Sequence, residues 1–290
     1  MARFSAIKIN PTRYSIRQWP FYAILIPICI FMLLPLIYVF NHALKPFDEL
    51  IKYPPTFFVE KPTLDNFAEL FKHTSTSSVP VSRYLFNSII ITICVLVSSL
   101  FVSTMAGFAL SKLRFHIKGI IFEINTIALM FVGVAVGIPR YLVIERLGLI
   151  DNFLVHIIPG LAVPVGLFLI KQFIDQIPND LIEAARLDGA SDFKVYLRVI
   201  LPLIKPAIST VAILTFQTIW NDAGTSNLYI NNESLRTFAF YISTLAGNAN
   251  IVAGQSLSAV STLIMFIPNL VIFIFLQAQV MSTMAHSGMK

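Results

Sequence analysis

Charged residues are scarce in this 290-residue chain, where Asp, Glu, Lys and Arg together make up 12% of the sequence. A soluble globular domain averages about 25%. Hydrophobic residues account for 56% of the chain, and its mean hydropathy is +0.77. A soluble globule is therefore excluded, and the composition predicts a protein that crosses a membrane several times.

The chain also lacks the motifs of catalysis and of metal binding. Its two cysteines, Cys29 and Cys94, are too few for a disulfide framework, and both lie in apolar runs, where we expect small buried side chains. The five histidines are scattered without metal-ligand spacing, and no Walker glycine–lysine loop is present. Basic residues are dispersed among the apolar runs, which argues against nucleic-acid binding. The sequence thus predicts no catalytic residue, no metal site and no nucleotide bound by this chain.

Six apolar runs are candidates for membrane spans, since a helix of about 20 residues crosses a bilayer core. The runs are continuous and do not alternate, which favours helices over the strands of a barrel. They cover about residues 21–40, 84–110, 119–138, 153–174, 206–220 and 256–280. We predict an all-α membrane protein with six transmembrane helices in one domain, residues 21–280, between a segment at 1–20 and a tail at 281–290.

The distribution of Lys and Arg predicts the orientation of these spans. Residues 1–20 contain four basic side chains and no acid, and the connections after the second and fourth runs are also basic. Both termini are therefore predicted in the cytoplasm. Arg140 and Arg146, in the connection after the third run, are an exception to the rule.

The connection between the fourth and fifth runs, about residues 175–205, is long and patterned. Asp180 and Glu183 have the spacing of a capping box at a helix start. Gly189 stands where a left-handed residue would stop that helix, and Ser191 can cap a second one. We predict two short helices joined by a sharp glycine turn, a cytoplasmic knob that can enter a groove on a partner protein.

This connection resembles the EAA motif of binding-protein-dependent ABC importer permeases, in which Glu-Ala-Ala is followed by three residues, Gly, nine residues and Ile-x-Leu-Pro. The matching residues are Glu183, Ala184, Ala185, Gly189, Val199, Leu201 and Pro202, with Val199 in place of isoleucine. Further segments resemble the maltose-permease-like carbohydrate branch of that family: Arg83 to Ser88, Trp220-Asn221-Asp222, Leu235-Arg236-Thr237 and Leu276-Gln277.

The resemblance implies the function and the partners. It implies a multi-pass permease in the bacterial cytoplasmic membrane that carries a carbohydrate, an oligosaccharide or polysaccharide. Its partners would be a homologous second permease, an ATPase dimer that holds the ATP and magnesium, an extracytoplasmic solute-binding protein and membrane lipid. The residues implied to couple to the ATPase are Glu183, Ala184, Ala185, Asp188, Gly189, Leu201 and Pro202.

Polar residues inside or at the ends of the spans are candidates for the substrate pathway, because such groups are costly in a membrane. The candidates are Asn87, Asn125, Gln217, Trp220, Asn221 and Asn269. Each has an alternative role, since helix–helix hydrogen bonds use the same amides. Trp220 could also be an aromatic at the membrane interface, and Asp222 could cap a loop.

Two other functions are open. An ion-coupled secondary transporter would show internal repeats and intramembrane acids, whereas no repeat is visible here and Glu123 is the one acid well inside a predicted span. A membrane-embedded enzyme would need the catalytic motifs that the chain lacks.

Overall fold

The computed structural model describes residues 19–72, 79–247 and 252–287, and these residues form helices and connections without a strand. The predicted segment 1–20 therefore lies outside the described residues except for Trp19 and Pro20. The first part of the chain forms α1 (Trp19–Leu44), α2 (Phe47–Leu50), α3 (Asp65–Lys72), α4 (Val81–Lys112), α5 (Lys118–Ala128), α6 (Gly137–Arg146) and α7 (Pro164–Asp175). The second part forms α8 (Asn179–Leu187), α9 (Asp192–Val195), α10 (Leu201–Leu203), α11 (Lys205–Trp220), α12 (Gly224–Tyr229), α13 (Phe238–Gly247) and α14 (Val252–Ser287).

Four segments of the described chain are long and apolar enough to cross a membrane: Trp19–Leu44, Val81–Lys112, Phe153–Asp175 and Ser256–Gln277. They correspond to the first, second, fourth and sixth predicted runs. The fifth run belongs to a bent pair of helices, Asp192–Leu203 and Lys205–Trp220, which meet at 79° and raise the number to five if the pair is one span. The chain is thus an all-helical, multi-pass membrane protein.

The third predicted run, residues 119–138, is not one continuous helix in the structure. α5 ends at Ala128 after 11 residues, and the chain passes through turns before α6 begins at Gly137. The turns contain Gly133 between Val132 and Val134, and both glycine and β-branched residues have lower helix propensity than alanine or leucine. Hydropathy alone does not register this weakness, because valine is as apolar as any helix former.

The helices pack into two main clusters around α4. At one end of α4, buried side chains of α4, α11, α13 and α14 form a cluster that includes Tyr84, Trp220 and Phe238. Towards the other end, α4, α7 and α11 pack with the helices of the 175–205 connection around Ile170, Ile174 and Ile182. α4 therefore links the two ends of the molecule.

Cys29 and Cys94 are both exposed in this chain, which corrects the expectation that they are buried. Cys29 lies on α1, and the most apolar window of this helix has no buried residue. In a membrane, lipid tails are as apolar as leucine, so an apolar run need not turn its side chains into the protein.

Candidate functional site

The connection between α7 and α11 contains the predicted pair of short helices. α8 ends at a glycine turn, where Gly189 has a φ of +78°. The N–H of Gly189 donates to the carbonyl of Arg186 at 3.0 Å, and the N–H of Ala190 donates to the carbonyl of Ala185 at 3.0 Å. These two bonds form a Schellman motif, which requires a left-handed residue where Gly189 stands. The predicted glycine turn is confirmed.

The second helix of the pair begins at Asp192, and Ser191 caps it as predicted. The Ser191 hydroxyl accepts a hydrogen bond from the N–H of Lys194 at 3.4 Å. We call residues 179–195, from α8 through the turn to α9, the α8–α9 knob.

The predicted capping box at Asp180 and Glu183 is wrong. The residue before the first turn of α8 is Pro178, and no side chain caps this helix. Asp180 lies inside the first turn, where its charge still favours the positive helix end. Lys112 on α4 binds the chain at the start of α8. Its Nζ donates to the carbonyl of Ile177 at 2.7 Å and to Oδ1 of Asn179 at 2.9 Å.

One face of the knob is buried and the other is bare. Ile182 is 3% exposed and packs in the cluster with Ile170 and Ile174. Leu187, on the outer side, is 89% exposed, and a Cβ added at Gly189 would meet only open space. Glu183 and Ala184 are exposed too. Leu187 and Glu183 on this outer side are therefore accessible to a partner protein.

The second arm of the knob continues towards α11. After α9 the chain forms a single π-helical turn, Tyr196–Ile200, and then α10, where Leu201 is half-buried and Pro202 is exposed. The Tyr196 hydroxyl lies 2.8 Å from Oγ1 of Thr104 on α4 and is buried. π-turns within helices occur frequently at functional sites. The knob is thus joined to α11 through an irregular helix anchored on α4.

Three of the predicted pathway residues donate side-chain hydrogen bonds to backbone carbonyls of the protein. Asn87 is 1% exposed and donates to the carbonyls of Ser234 at 2.8 Å and of Arg236 at 2.9 Å. Asn125 donates to the carbonyl of Pro164 at 3.1 Å. Trp220 is 4% exposed, and its Nε1 donates to the carbonyl of Met265 at 3.0 Å. Trp220 is therefore a core side chain rather than an interfacial aromatic. These contacts agree with the helix-binding alternative, and a pathway role stays a prediction.

The other three predicted residues lie near the end of α11. Asn269 on α14 donates to Oδ1 of Asn221 at 3.5 Å, and Asn221 donates to the carbonyl of Gln217 at 2.8 Å. The Gln217 side chain is exposed. The structure therefore brings Asn221 and Asn269 together, although they are 48 residues apart in the sequence.

Asn221 also lines a cavity of about 760 Å³ between α11, α12 and the segment that leads into α7. Seven of the residues around it are polar or charged. They are Arg140, Thr215, Thr218, Thr225, Asn221, Asp222 and Tyr229. Oγ1 of Thr215 is buried and has no hydrogen-bond partner among the described residues. This hydroxyl is closed off from the cavity, but a concave site with a few polar residues around it is suited to a polar ligand.

Most of these lining residues are absent from the sequence-based candidates. Threonines in apolar helices carry no signal of their own, because their hydroxyls commonly bond to the preceding turn. Arg140 could be singled out in the sequence, because it is an exception to the distribution of Lys and Arg that predicts the orientation of the spans. Asp222 caps the start of α12, since its Oδ1 accepts from the N–H of Thr225 at 3.1 Å, so the loop-cap interpretation is confirmed.

Beyond the cavity, the connection between α11 and α13 is tied to the rest of the protein by many hydrogen bonds. We call it the 221–238 loop. Oδ1 of Asp151 accepts from the N–H groups of Asn231 at 2.9 Å and Asn232 at 2.7 Å. The Ser88 hydroxyl accepts from the N–H of Phe238 at 2.8 Å.

Comparison with known proteins identifies the family of this chain. A family model described as "binding-protein-dependent transport system inner membrane component" matches residues 19–280. The arabinooligosaccharides transport system permease protein AraQ of Bacillus subtilis is 28% identical, over 90% of this chain and 93% of the relative. The trehalose transport system permease protein SugB of Mycobacterium tuberculosis is 26% identical, over 90% and 93%.

A solved structure has the same fold. A chain of a bacterial ABC transporter involved in the import of the acidic polysaccharide alginate superposes with a TM-score of 0.78 at 22% identity. The match covers 93% of this chain and 99% of that one.

Proposed function

The chain belongs to the family of binding-protein-dependent transport system inner membrane components, and we propose that it forms the membrane pathway for a carbohydrate in a bacterial ATP-driven importer. A partner ATPase dimer would hold ATP and magnesium and perform the hydrolysis. A homologous second permease and an extracytoplasmic solute-binding protein would complete the complex in the cytoplasmic membrane. The names of the relatives, which refer to arabinooligosaccharides and trehalose, support an oligosaccharide as the cargo.

The observation that carries the proposal is the bare outer face of the α8–α9 knob. The residues of the EAA pattern are those that build it: Ala185 accepts the closing hydrogen bond, Gly189 supplies the left-handed turn, and Glu183 stays exposed. A rigid projection with an exposed leucine and a carboxylate fits a groove on the ATPase.

In this proposal, closure of the ATPase dimer displaces the knob, and the movement reaches the cavity through the chain itself. The second arm of the knob leads through the π-turn and the 79° bend into α11. α11 carries Thr215 and Thr218, which line the cavity. A tilt of α11 would therefore change the shape of the cavity, in the manner of packed helices that move as rigid bodies.

The cavity offers what a sugar requires. Hydroxyls of threonine, the amide of Asn221 and the carboxylate of Asp222 can donate to or accept from sugar hydroxyls, and Tyr229 presents an aromatic ring. The proposed topology has both termini in the cytoplasm and six spans, the third of them formed by the interrupted segment from α5 onwards.

The test is charge reversal at Glu183, with Glu145→Lys as the matched control on an exposed acid of α6. The complex is reconstituted in liposomes, and ATP hydrolysis stimulated by the binding protein is measured together with sugar uptake. We expect Glu183→Lys to lower both by about tenfold or more, because reversal of a buried interfacial charge costs several kcal/mol. Glu145→Lys should leave both unchanged.

Normal uptake by the Glu183→Lys complex would show that the knob does not transmit the closure of the ATPase dimer to the permease. The ion-coupled secondary transporter would then be the better account, and a proton or sodium ionophore should abolish uptake in the absence of ATP.

A further inference from the structure

The turn between α4 and α5 combines positive charge with apolar side chains. Residues 112–118 read Lys-Leu-Arg-Phe-His-Ile-Lys, so every second residue is basic or histidine and each residue between them is apolar. Arg114 and His116 are exposed, and Ile117 is 57% exposed. We call residues 112–118 the basic turn.

An exposed apolar stripe begins at the basic turn and runs along α5. Ile117, Ile120, Ile124 and Ile127 follow one another at steps of three or four residues, which places them on one helix face. Each is between 47% and 61% exposed. In a membrane protein such a stripe faces lipid tails, and basic side chains at its end lie at the level of the headgroups.

A polar cavity of about 560 Å³ separates the basic turn from α8. Lys112 and Arg186 line it but already have partners, since Lys112 binds the start of α8 and Arg186 pairs with Asp192 at 2.8 Å. Arg114 and Lys118 line the same cavity, and neither forms an ion pair with another described residue. These two cations exceed the one remaining carboxylate of the cavity, Glu183, which the proposed function directs at the ATPase.

We propose that the basic turn binds the headgroup of an anionic phospholipid, with its phosphate between Arg114 and Lys118 and an acyl chain along the α5 stripe. Basic pockets between helices at the membrane surface recognise such headgroups. The apolar stripe favours a lipid over an acidic protein segment, because a lipid carries its apolar tail directly next to the charged head. The bound headgroup would lie beside α8, so the lipid composition would bear on the position of the knob.

The test uses the purified full chain in neutral detergent and does not depend on any transport activity. Phosphatidylglycerol and phosphatidylcholine are titrated separately, and the midpoint of thermal unfolding reports binding. We expect phosphatidylglycerol to raise the midpoint of the native chain. The double variant Arg114→Gln/Lys118→Gln should bind it more weakly, by about fivefold for each cation removed. Phosphatidylcholine should have little effect.

The matched control is Lys61→Gln/Arg146→Gln, which removes two exposed cations outside the turn and should bind phosphatidylglycerol like the native chain. Equal binding by the Arg114→Gln/Lys118→Gln variant would overturn the site. A shift of the same size with inorganic phosphate would replace the lipid with a free anion. Loss of bound phosphatidylglycerol when the ATPase assembles on the chain would mean that a protein surface occupies the turn, and it too would overturn the proposal.

Discussion

The two ends of α11 differ in how the chain beyond them is held. After Trp220, the 221–238 loop is tied by side chains of distant elements: Asn87 and Ser88 on α4 and Asp151 before α7 bind its backbone groups. Before Lys205, the α8–α9 knob is held mainly through one apolar face around Ile182. The loop end satisfies its polar groups within the chain, whereas the knob end leaves Leu187 and Glu183 uncovered.

This difference separates structural residues from residues that serve a partner. Buried polar groups that bind within the chain support a fold that is already complete, and their loss destabilises the chain itself. An exposed side chain with little around it, such as that of Leu187 or Glu183, adds little to the stability of the isolated chain. Substitutions of these side chains should therefore affect different measurements, stability at the loop end and coupling at the knob end.

The largest effect on stability is expected at Asn87. Replacement by leucine removes both hydrogen bonds to the 221–238 loop and leaves the partly buried carbonyl of Arg236 without this donor. We expect the free energy of unfolding to fall by about 3 kcal/mol, because a buried group left unpaired bears its full desolvation penalty. Thermal unfolding of the purified chain measures it.

The control is Asn227→Leu, at an exposed asparagine of α12, which should change stability by less than about 0.5 kcal/mol. If the two variants were equally stable, the loop would not depend on α4, and the contrast between the ends would fail.

Two glycine turns allow the sharpest comparison. Gly148 closes α6 with the same Schellman bonds that Gly189 makes, from its N–H to Glu145 and from that of Leu149 to Ile144. Both have positive φ, +66° and +78°, and open space around the missing Cβ. Valine at either position should destabilise the chain similarly, by about 2 kcal/mol, because a β-branched residue is strained in this conformation.

Only Gly189→Val should abolish sugar uptake in the reconstituted complex, since only this turn is the proposed ATPase contact. Gly148→Val should retain uptake in proportion to the folded complex. Equal losses of uptake would mean that backbone strain, and not the position of the turn, explains the phenotype. Alanine at each position provides a milder pair if the valine variants fail to insert.

The sequence predicted the knob better than any other part because its signals are local. Gly189 and Ser191 each act on residues within four positions, so a helix end and a helix start can be recognised without knowledge of the fold. The error at Asp180 was also local: Pro178 takes the position before α8, and the helix begins two residues earlier than a capping box would require.

The cavity was largely invisible to the sequence because it is assembled from separate segments. Arg140 comes from α6, Thr215 from α11 and Tyr229 from α12, and no periodicity links them. Likewise, an amide such as Asn87 looks the same in the sequence whether it binds a substrate or a backbone carbonyl. Hydropathy predicted the four long apolar segments, but not the bend in the fifth run or the interruption of the third at Gly133 and its valine neighbours.

The smallest expected effect tests the junction between the knob and α4. Oγ1 of Thr104 is 2.7 Å from the carbonyl of Leu100, to which it donates, so the Tyr196 hydroxyl is the donor to Thr104. Tyr196→Phe removes this bond but keeps the ring packed near Phe108. We expect a loss of about 1 kcal/mol and, because the π-turn loses its anchor, a lower ratio of sugar transported to ATP hydrolysed.

Tyr241→Phe is the matched control, since the same substitution is not expected to lower the stability of the chain at this position. The Tyr241 hydroxyl is also buried, but it has no hydrogen-bond partner among the described residues, and burial together with the neighbouring Tyr84 raises the pKa of Tyr241 above its ordinary value. Removing an unpaired buried hydroxyl relieves a desolvation penalty, so this variant should be as stable as the native chain or more stable. The same chemical change therefore has opposite expected signs at the two tyrosines. If both variants lost stability equally, the Tyr196–Thr104 bond would contribute nothing beyond the bulk of a hydroxyl, and α11 would receive the movement of the knob through apolar packing alone.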